Sequence, residues 1–245
     1  MIPKFASATI PYICNKPFRI KIPKCAVEPY ISAIAGGGAG LVDPSDPPMF
    51  TQGGESGQSL YRLPVKPGEI INVKLGRGQI SGIGLTAENN TVISFDSCSD
   101  IITLRGGDRS SIPPPLIITE RSPFIFFPNA PGGALFGGMD GTLIIEAVGF
   151  FPGVAGRSGG FVLQEDPPRA IVGGRGGGAG AFIGSRGGDG GLFPPSAGQS
   201  GVLGGGGGSG SVIAEIGESG PTSFIKSPSG NGGDGAFYVE YYCFE

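Results

Sequence analysis

Short apolar runs bounded by glycine and proline are the main pattern along this chain. The clearest runs are PFRIKIP at 17–23, EIINVKL at 69–75, TLIIEAV at 142–148 and AFYVEYY at 236–242. Their length is typical of β-strands, and helical periodicity is almost absent. The pattern therefore predicts an all-β fold with essentially no α-helix. A Pro67-Gly68 turn between two apolar runs also predicts a β-hairpin.

The two halves of the sequence resemble each other in the order of their segments. The matched blocks are 17–23 with 123–128, 31–40 with 144–153, 54–78 with 156–177, and 91–108 with 221–235. Matches that keep one order indicate a tandem duplication. We place the seam near the consecutive prolines that follow Ile112, because such prolines fix an extended connector. We therefore expect two glycine-rich β-sandwich modules, residues 1–112 and 113–245.

Glycine accounts for 49 of the 245 residues, about three times its usual share of roughly 7%. It is densest at 173–210. Hydrophobic residues make up 39% of the chain and charged residues 15%, whereas disordered chains combine low hydrophobicity with high net charge. A flexible linker would also lack the apolar residues that interrupt this block at 181–183, 192–195 and 202–203. We favour an ordered glycine block, with a flexible linker as the alternative.

An ordered glycine block needs a source of stability, because ordering each glycine costs roughly 0.5–1 kcal/mol more than ordering alanine. In polyproline II geometry, glycine has no Cβ and keeps its N–H, so neighbouring segments can pack closely and exchange hydrogen bonds. At a net ~1 kcal/mol per hydrogen bond, this gain is comparable with the cost. We expect polyglycine-II-like helices that depend on flanking β-strands.

The charge pattern argues against nucleic-acid binding. The net charge is −3 without a basic tail, which removes the main source of affinity for phosphates. Three Arg-Gly-Gly triplets are widely spaced, and the GxGxxG match formed by Gly205, Gly207 and Gly210 has no strand–helix unit around it. The N-terminus lacks a secretory signal, and no run approaches the ~18 apolar residues of a membrane helix. We expect neither a nucleic-acid partner nor membrane insertion.

The sequence also argues against catalysis. It contains no histidine, which excludes the commonest general base and the Ser-His-Asp and Cys-His arrangements and makes a zinc site improbable. Asp43 with Asp46, or Glu165 with Asp166, could in principle cleave a glycosidic bond. Acids next to proline are more typical of turns. We therefore expect no enzyme activity, no cofactor and no metal site.

The four cysteines, Cys14, Cys25, Cys98 and Cys243, have no paired spacing. Since thiols stay reduced in the cytosol, we expect buried thiols. A Cys14–Cys25 bridge is the alternative for a protein that leaves the cell.

Six segments together resemble a known family. They are PFRIKIP, ISAIAGGGAG, GESGQSLYRL, KPGEIINVKLGRG, PTSF and NGGDGAFYVEYY. Their order is similar to that of the glycine-rich modules at the ends of bacteriophage tail fibres. The resemblance implies packed polyglycine II helices whose connecting loops touch the host surface. It also implies a virion protein that binds a bacterial outer-surface protein or polysaccharide, as a homotrimer or as a monomeric cap on a trimeric shaft.

Three loops are candidates for receptor contact: 41–52, 181–186 and 192–197. They combine apolar or aromatic side chains with a few polar ones, as binding hot spots do. The candidate residues are Asp43, Asp46, Met49, Phe50, Phe182, Ile183, Arg186, Leu192 and Phe193. The alternative for the three phenylalanines is that they cover the edges of the fold.

Two other functions stay open. One is a structural virion protein, such as a fibre connector or capsid decoration protein, that binds only other phage proteins. The other is an intracellular glycine-rich RNA-binding protein, which would bind RNA in a salt-sensitive manner.

Overall fold

A computed structural model describes most of the N-terminal half of the chain and separate parts of the C-terminal half. The described ranges are 3–12, 16–43, 50–83, 86–107, 116–118, 125–127, 134–135, 161–162, 169–171, 186–188, 190–191, 196–208, 210, 212–217 and 220–244. Within these ranges the protein is all-β, as predicted, and its one helical turn is a short 3₁₀ turn at Ala87–Asn89.

The strands in chain order are β1 Pro3–Pro11, β2 Phe18–Lys21, β3 Ala26–Ile34, β4 Leu41–Asp43, β5 Phe50–Gln52, β6 Ser59–Pro64, β7 Ile70–Lys74, β8 Thr91–Phe95, β9 Ile101–Leu104, β10 Leu116–Ile118, β11 Ile125–Phe127, β12 Ala134–Leu135, β13 Phe161–Val162, β14 Arg169–Ile171, β15 Val212–Gly217, β16 Gly220–Lys226 and β17 Ala236–Phe244. The apolar runs at 17–23, 69–75 and 236–242 correspond to β2, β7 and β17, which confirms these strand predictions. The run at 142–148 lies outside the described residues.

Two five-stranded antiparallel sheets enclose the main hydrophobic core. The first sheet has the order β1-β17-β3-β6-β11, and the second has the order β10-β9-β8-β7-β2. Side chains alternate between buried and half-buried along β7 and β8, as expected for strands with one face on a core. Fully buried Leu60 and Phe237 of the first sheet belong to the same cluster as Ile71 and Ile93 of the second.

The turn at Pro67-Gly68 joins the two sheets, and the prediction of a hairpin there was wrong. Gly68 has a positive φ of 79°, as a tight turn often requires. However, β6 pairs with β3 and β11, whereas β7 pairs with β2 and β8. Leu60 and Leu63 of β6 and Ile71 and Val73 of β7 are buried in the same core, but the two strands reach it from opposite sheets. The residues of the turn alone do not reveal this arrangement.

Strand pairing crosses the predicted seam between residues 112 and 113. The last strand, β17, lies between β1 and β3 in the first sheet. Strand β11 pairs with β6 at the other edge of that sheet. Both halves of the chain therefore build one sheet, and the tandem duplication stays a prediction.

A disulfide bond joins Cys25 to Cys243, with a Cα–Cα distance of 5.3 Å. The prediction of reduced thiols was therefore wrong for these two residues, and Cys25 pairs with Cys243 rather than with Cys14. The physical reason is the return of β17 beside β3, where Cys243 lies opposite Ala26. Cys98 keeps its thiol but is exposed, not buried. Cys14 lies outside the described residues.

Between the strands, extended glycine-rich segments pack against one another to form what we call the glycine bundle. It consists of residues 35–40, 53–58, 76–79, 105–107, 186–188, 198–208 and 228–235. Backbone hydrogen bonds link these segments, including Gly54 N to Gly207 O at 2.7 Å and Gly207 N to Gly38 O at 2.8 Å. The described part of the dense glycine block is thus bonded to glycines from the first half of the chain.

The glycine bundle leaves no room for side chains at many of its positions. A Cβ added to Gly54 would lie 2.0 Å from the carbonyl oxygen of Gly38, and one added to Gly232 would lie 1.8 Å from that of Gly37. Real Cβ contacts essentially never fall under 3.0 Å. Glycine is therefore required here by the close approach of neighbouring backbones.

The glycine bundle has two ends, which we call the base end and the loop end. At the base end, Leu203 packs against fully buried Ile34 and Ala236, which belong to strands of the first sheet. At the loop end, Gly40 N donates to Gly230 O at 3.0 Å. Gly40 directly precedes β4, and Gly230 lies in the bundle segment that follows β16.

Candidate functional site

The loop end carries part of the first predicted contact loop, 41–52. Strands β4 and β5 pair antiparallel, and Asp43 lies opposite Phe50 in their register. With β12, they form a three-stranded sheet. The structure thus brings together two residues that the sequence marked as candidates. Asp46 and Met49, between these strands in sequence, lie outside the described residues.

A cleft of about 290 Å³ lies next to this small sheet. Its lining comes from the start of β4, from the turn that follows residue 80, and from the segment that leaves β16. The lining residues are Gly40, Leu41, Val42, Ser81, Gly82, Lys226, Ser227, Pro228 and Ser229. The cleft is the candidate functional site.

The wall formed by Ser81 and Gly82 is fixed by hydrogen bonds to the glycine bundle. Gln79 is buried; its Oε1 accepts from Ala39 N at 2.9 Å, and its Nε2 donates to Ile83 O at 2.8 Å. Ser81 N donates to the Asn231 side chain at 2.8 Å. Because this turn is held at several points, it can keep one shape without a ligand.

The facing wall, 226–229, is also anchored. Lys226 ends β16, and its side chain is exposed. Pro228 O accepts from Gly198 N at 2.9 Å, and Ser229 Oγ accepts from Gly210 N at 3.2 Å. The glycine bundle therefore positions both walls of the cleft.

The remaining candidate residues do not join this site. Arg186 lies at the base end, where it exchanges backbone hydrogen bonds of 3.1 and 2.8 Å with Val202, the residue before Leu203. A single contact surface at the loop end therefore does not include Arg186. Four further candidates, Phe182, Ile183, Leu192 and Phe193, lie outside the described residues.

The backbone amides of the GxGxxG match are used inside the protein. Gly205 N donates to Val202 O at 3.0 Å, Gly207 N to Gly38 O, and Gly210 N to Ser229 Oγ. These three amides are therefore already occupied by acceptors of the protein itself. Across the described ranges, no group of three or more His, Cys, Asp and Glu side chains is placed to hold a metal ion. No helix in those ranges could span a bilayer.

Sequence reasoning missed most of the cleft, including Ser81, Lys226 and Ser229. The signal available was the pair of Ser-containing turns, ISGIG at 80–84 and KSPSG at 226–230. Their proximity depends on long-range pairing within the bundle, which no local pattern gives.

No family model matches this sequence, and a search of curated proteins finds no significant match.

Proposed function

We propose that this protein is the receptor-binding tip of a bacteriophage tail fibre, which docks its loop end onto a bacterial surface receptor without catalysis. The observation that carries the proposal is the glycine bundle itself. Its backbone is locked by hydrogen bonds and leaves no room for a Cβ at many of its positions, so it is a stiff support with little recognition chemistry of its own. Recognition then falls to the loops that it holds.

The bonding pattern supports polyglycine II geometry for the bundle. Three successive amides of one segment donate to three different neighbouring segments, as expected for a helix with three residues per turn. These bonds are Gly36 N to Asn89 O, Gly37 N to Gly233 O and Gly38 N to Glu55 O. A β-strand would instead direct its bonds to two sides only. This geometry is the one implied by the likeness to tail-fibre modules.

Stiffness at the loop end favours a binding role. A loop that is already fixed loses less conformational entropy when it docks. The turn carrying Ser81 is fixed by the Gln79 side chain and by Asn231. Exposed Ile83, 54% accessible, lies on the same turn and offers an apolar contact next to the cleft.

The experiment is binding of purified protein to cells of candidate host bacteria. One variant replaces residues 44–49, between β4 and β5, with Gly and Ser, and the control replaces Arg186 with Gln at the base end. We expect saturable binding that the loop variant loses and the control keeps, with unchanged unfolding temperatures. Absence of binding to every permissive host, with the protein folded, would contradict the proposal.

A structural virion protein is the second candidate, and one observation favours it. Phe5, Val27, Tyr242 and Phe244 are all exposed by 40–51%. Tyr242 lies opposite both Phe5 and Val27 in the first sheet, and the rings of Phe5 and Tyr242 are 5.3 Å apart. This apolar cluster lies at the end of the sheet away from the glycine bundle and suits attachment to other virion proteins.

The two candidates differ in which end of the molecule is accessible on the particle. Antibodies against the loop end should block adsorption if that end binds the receptor. If the protein only connects other phage proteins, those antibodies should leave adsorption unchanged.

A further inference from the structure

The cleft at the loop end combines three kinds of group. Ser81, Ser227 and Ser229 supply hydroxyls, Leu41, Val42 and Pro228 supply apolar surface, and Lys226 supplies a positive charge. Hydroxyls exchange hydrogen bonds with the hydroxyls of a sugar, while apolar groups cover the C–H face of its ring. A lysine ammonium binds a carboxylate or phosphate as a point charge.

The size of the cleft limits its ligand to one small unit. At about 290 Å³, it lies just below the range of roughly 300–1,000 Å³ typical of pockets that enclose drug-sized ligands. A single sugar ring fits this volume, whereas a longer oligosaccharide would extend out of it.

The charge at the cleft differs in sign from that of the whole chain. The protein carries a net charge of −3, yet the one charged residue among those lining the cleft is Lys226. Lys226 is the last residue of β16, at the loop end of the bundle, and its side chain is exposed. The cleft therefore favours an anionic ligand over a neutral one of the same shape.

We infer that this cleft binds one negatively charged sugar residue of a bacterial surface polysaccharide. The biological setting rests on the proposed function, whereas the ligand class follows from the lining. Ser81 and Ser229 lie on walls that the bundle already fixes. The bound ring is thus held between preformed surfaces, and Lys226 selects its charge.

The test uses the full-length protein labelled with ¹⁵N and three probes: methyl glucuronide, a hexose phosphate and the neutral methyl glucoside. We expect the two anionic probes to shift the amide signals of Ser81, Gly82 and Ser229 in a saturable way. We expect Lys226→Gln to weaken their binding by about fivefold, the upper end for an exposed ion pair. Binding of the glucoside should not change.

Lys66→Gln is the matched control, because Lys66 is also exposed but lies in the turn between the two large sheets. It should bind all probes as the wild type does. Ser81→Phe, which fills the cleft, should abolish binding while the unfolding temperature is retained. If that variant does not fold, the affinity of Lys226→Gln for the anionic probes still tests the inference.

The inference is overturned if no probe shifts the three amides, or if Lys226→Gln binds the anionic probes as tightly as the wild type does. Whole-cell binding separates this failure from that of the proposed function. Saturable cell binding without sugar binding would overturn the cleft inference alone. Sugar binding at Ser81 without cell binding to any permissive host would support the cleft and contradict the adhesin.

Discussion

The amide nitrogen of Gly37 lies 2.8 Å from the carbonyl oxygen of Gly233 and donates a hydrogen bond to it. The two residues come from opposite halves of the chain. Gly37 follows β3 and Gly233 precedes β17, and these two strands are neighbours in the first sheet. The sheet therefore sets the register of the glycine segments that extend from it, and sheet and bundle support each other.

Alanine in the interior of the bundle should be strongly destabilising. In Gly36→Ala, the new Cβ would lie 2.0 Å from the carbonyl oxygen of Arg77, and a backbone atom cannot move aside cheaply. We expect the free energy of unfolding to fall by about 3 kcal/mol or more, measured by chemical denaturation.

Gly82→Ala is the control for that variant. Gly82 has a positive φ of 83° but open space around its Cβ position, so the cost should be only the backbone strain of about 1–2 kcal/mol. Equal losses in the two variants would mean that close backbone packing does not explain the glycine content.

Loss of the disulfide that links the end of β17 to the start of β3 should destabilise the protein. The bond between Cys25 and Cys243 closes a loop of 218 residues in sequence separation, and such a link constrains the unfolded chain. We expect Cys243→Ser to lower the free energy of unfolding by about 2–4 kcal/mol. Cys98→Ser, at an exposed thiol, should change it little. A reductant that leaves the wild-type unfolding temperature unchanged would contradict this prediction.

Two phenylalanines of β17 should differ sharply in their contribution to stability. Phe237 is fully buried and packs edge-to-face on Phe18, with ring centroids 6.2 Å apart. We expect Phe237→Ala to cost about 3–5 kcal/mol in equilibrium unfolding. Phe244 is 47% exposed, and Phe244→Ala should cost about 0.5 kcal/mol or less. A larger loss of stability for Phe244→Ala than for Phe237→Ala would contradict the burial of Phe237 in the core.

The carboxyl group of Asp96 should titrate below its ordinary range. The Asn72 side chain donates to Asp96 Oδ1 at 2.7 Å, and this hydrogen bond, together with the Arg19 guanidinium, lowers the pKa of Asp96. Because the pKa of Asp96 is lowered in the folded state, the ionised carboxylate stabilises the fold at pH values above the ordinary pKa of the group, near 3.8. That contribution is lost as the pH falls through the lower, folded-state pKa.

Asn72→Ala should therefore raise the pKa of Asp96 toward its ordinary value. It should also reduce the loss of stability on acidification below about pH 4. A carboxyl ¹³C titration of the wild type and the variant measures the shift directly. An Asp96 pKa that is the same in both proteins would show that Asn72 does not hold the carboxylate.

The sequence predicts the strands better than their partners. Strands such as β7 and β17 follow from local runs of β-branched and aromatic residues. The position of β17 between β1 and β3 does not, because strand order depends on long-range packing. The same return of the chain places Cys243 beside Cys25, which explains why the expectation of reduced thiols failed.

The candidate site could be predicted only in part. Loop 41–52 is marked by its mixture of apolar, acidic and proline residues, and Asp43 and Phe50 do lie together at the loop end. Ser81 and Lys226 become neighbours through the bundle, in which Gln79 and Asn231 fix the turn at residue 80. Glycine runs carry no side-chain pattern from which such a register could be deduced.

Amide hydrogen exchange of the bundle glycines tests most directly whether the glycine-rich segments fold as one interlocked unit. The amides of Gly37, Gly54, Gly207 and Gly233 are bonded to neighbouring segments. We expect them to be protected with opening free energies close to that of global unfolding, and exposed Gly82 to exchange faster. Exchange of these four amides at the rate of an unstructured peptide would contradict the account, because the loop end would then have no rigid support.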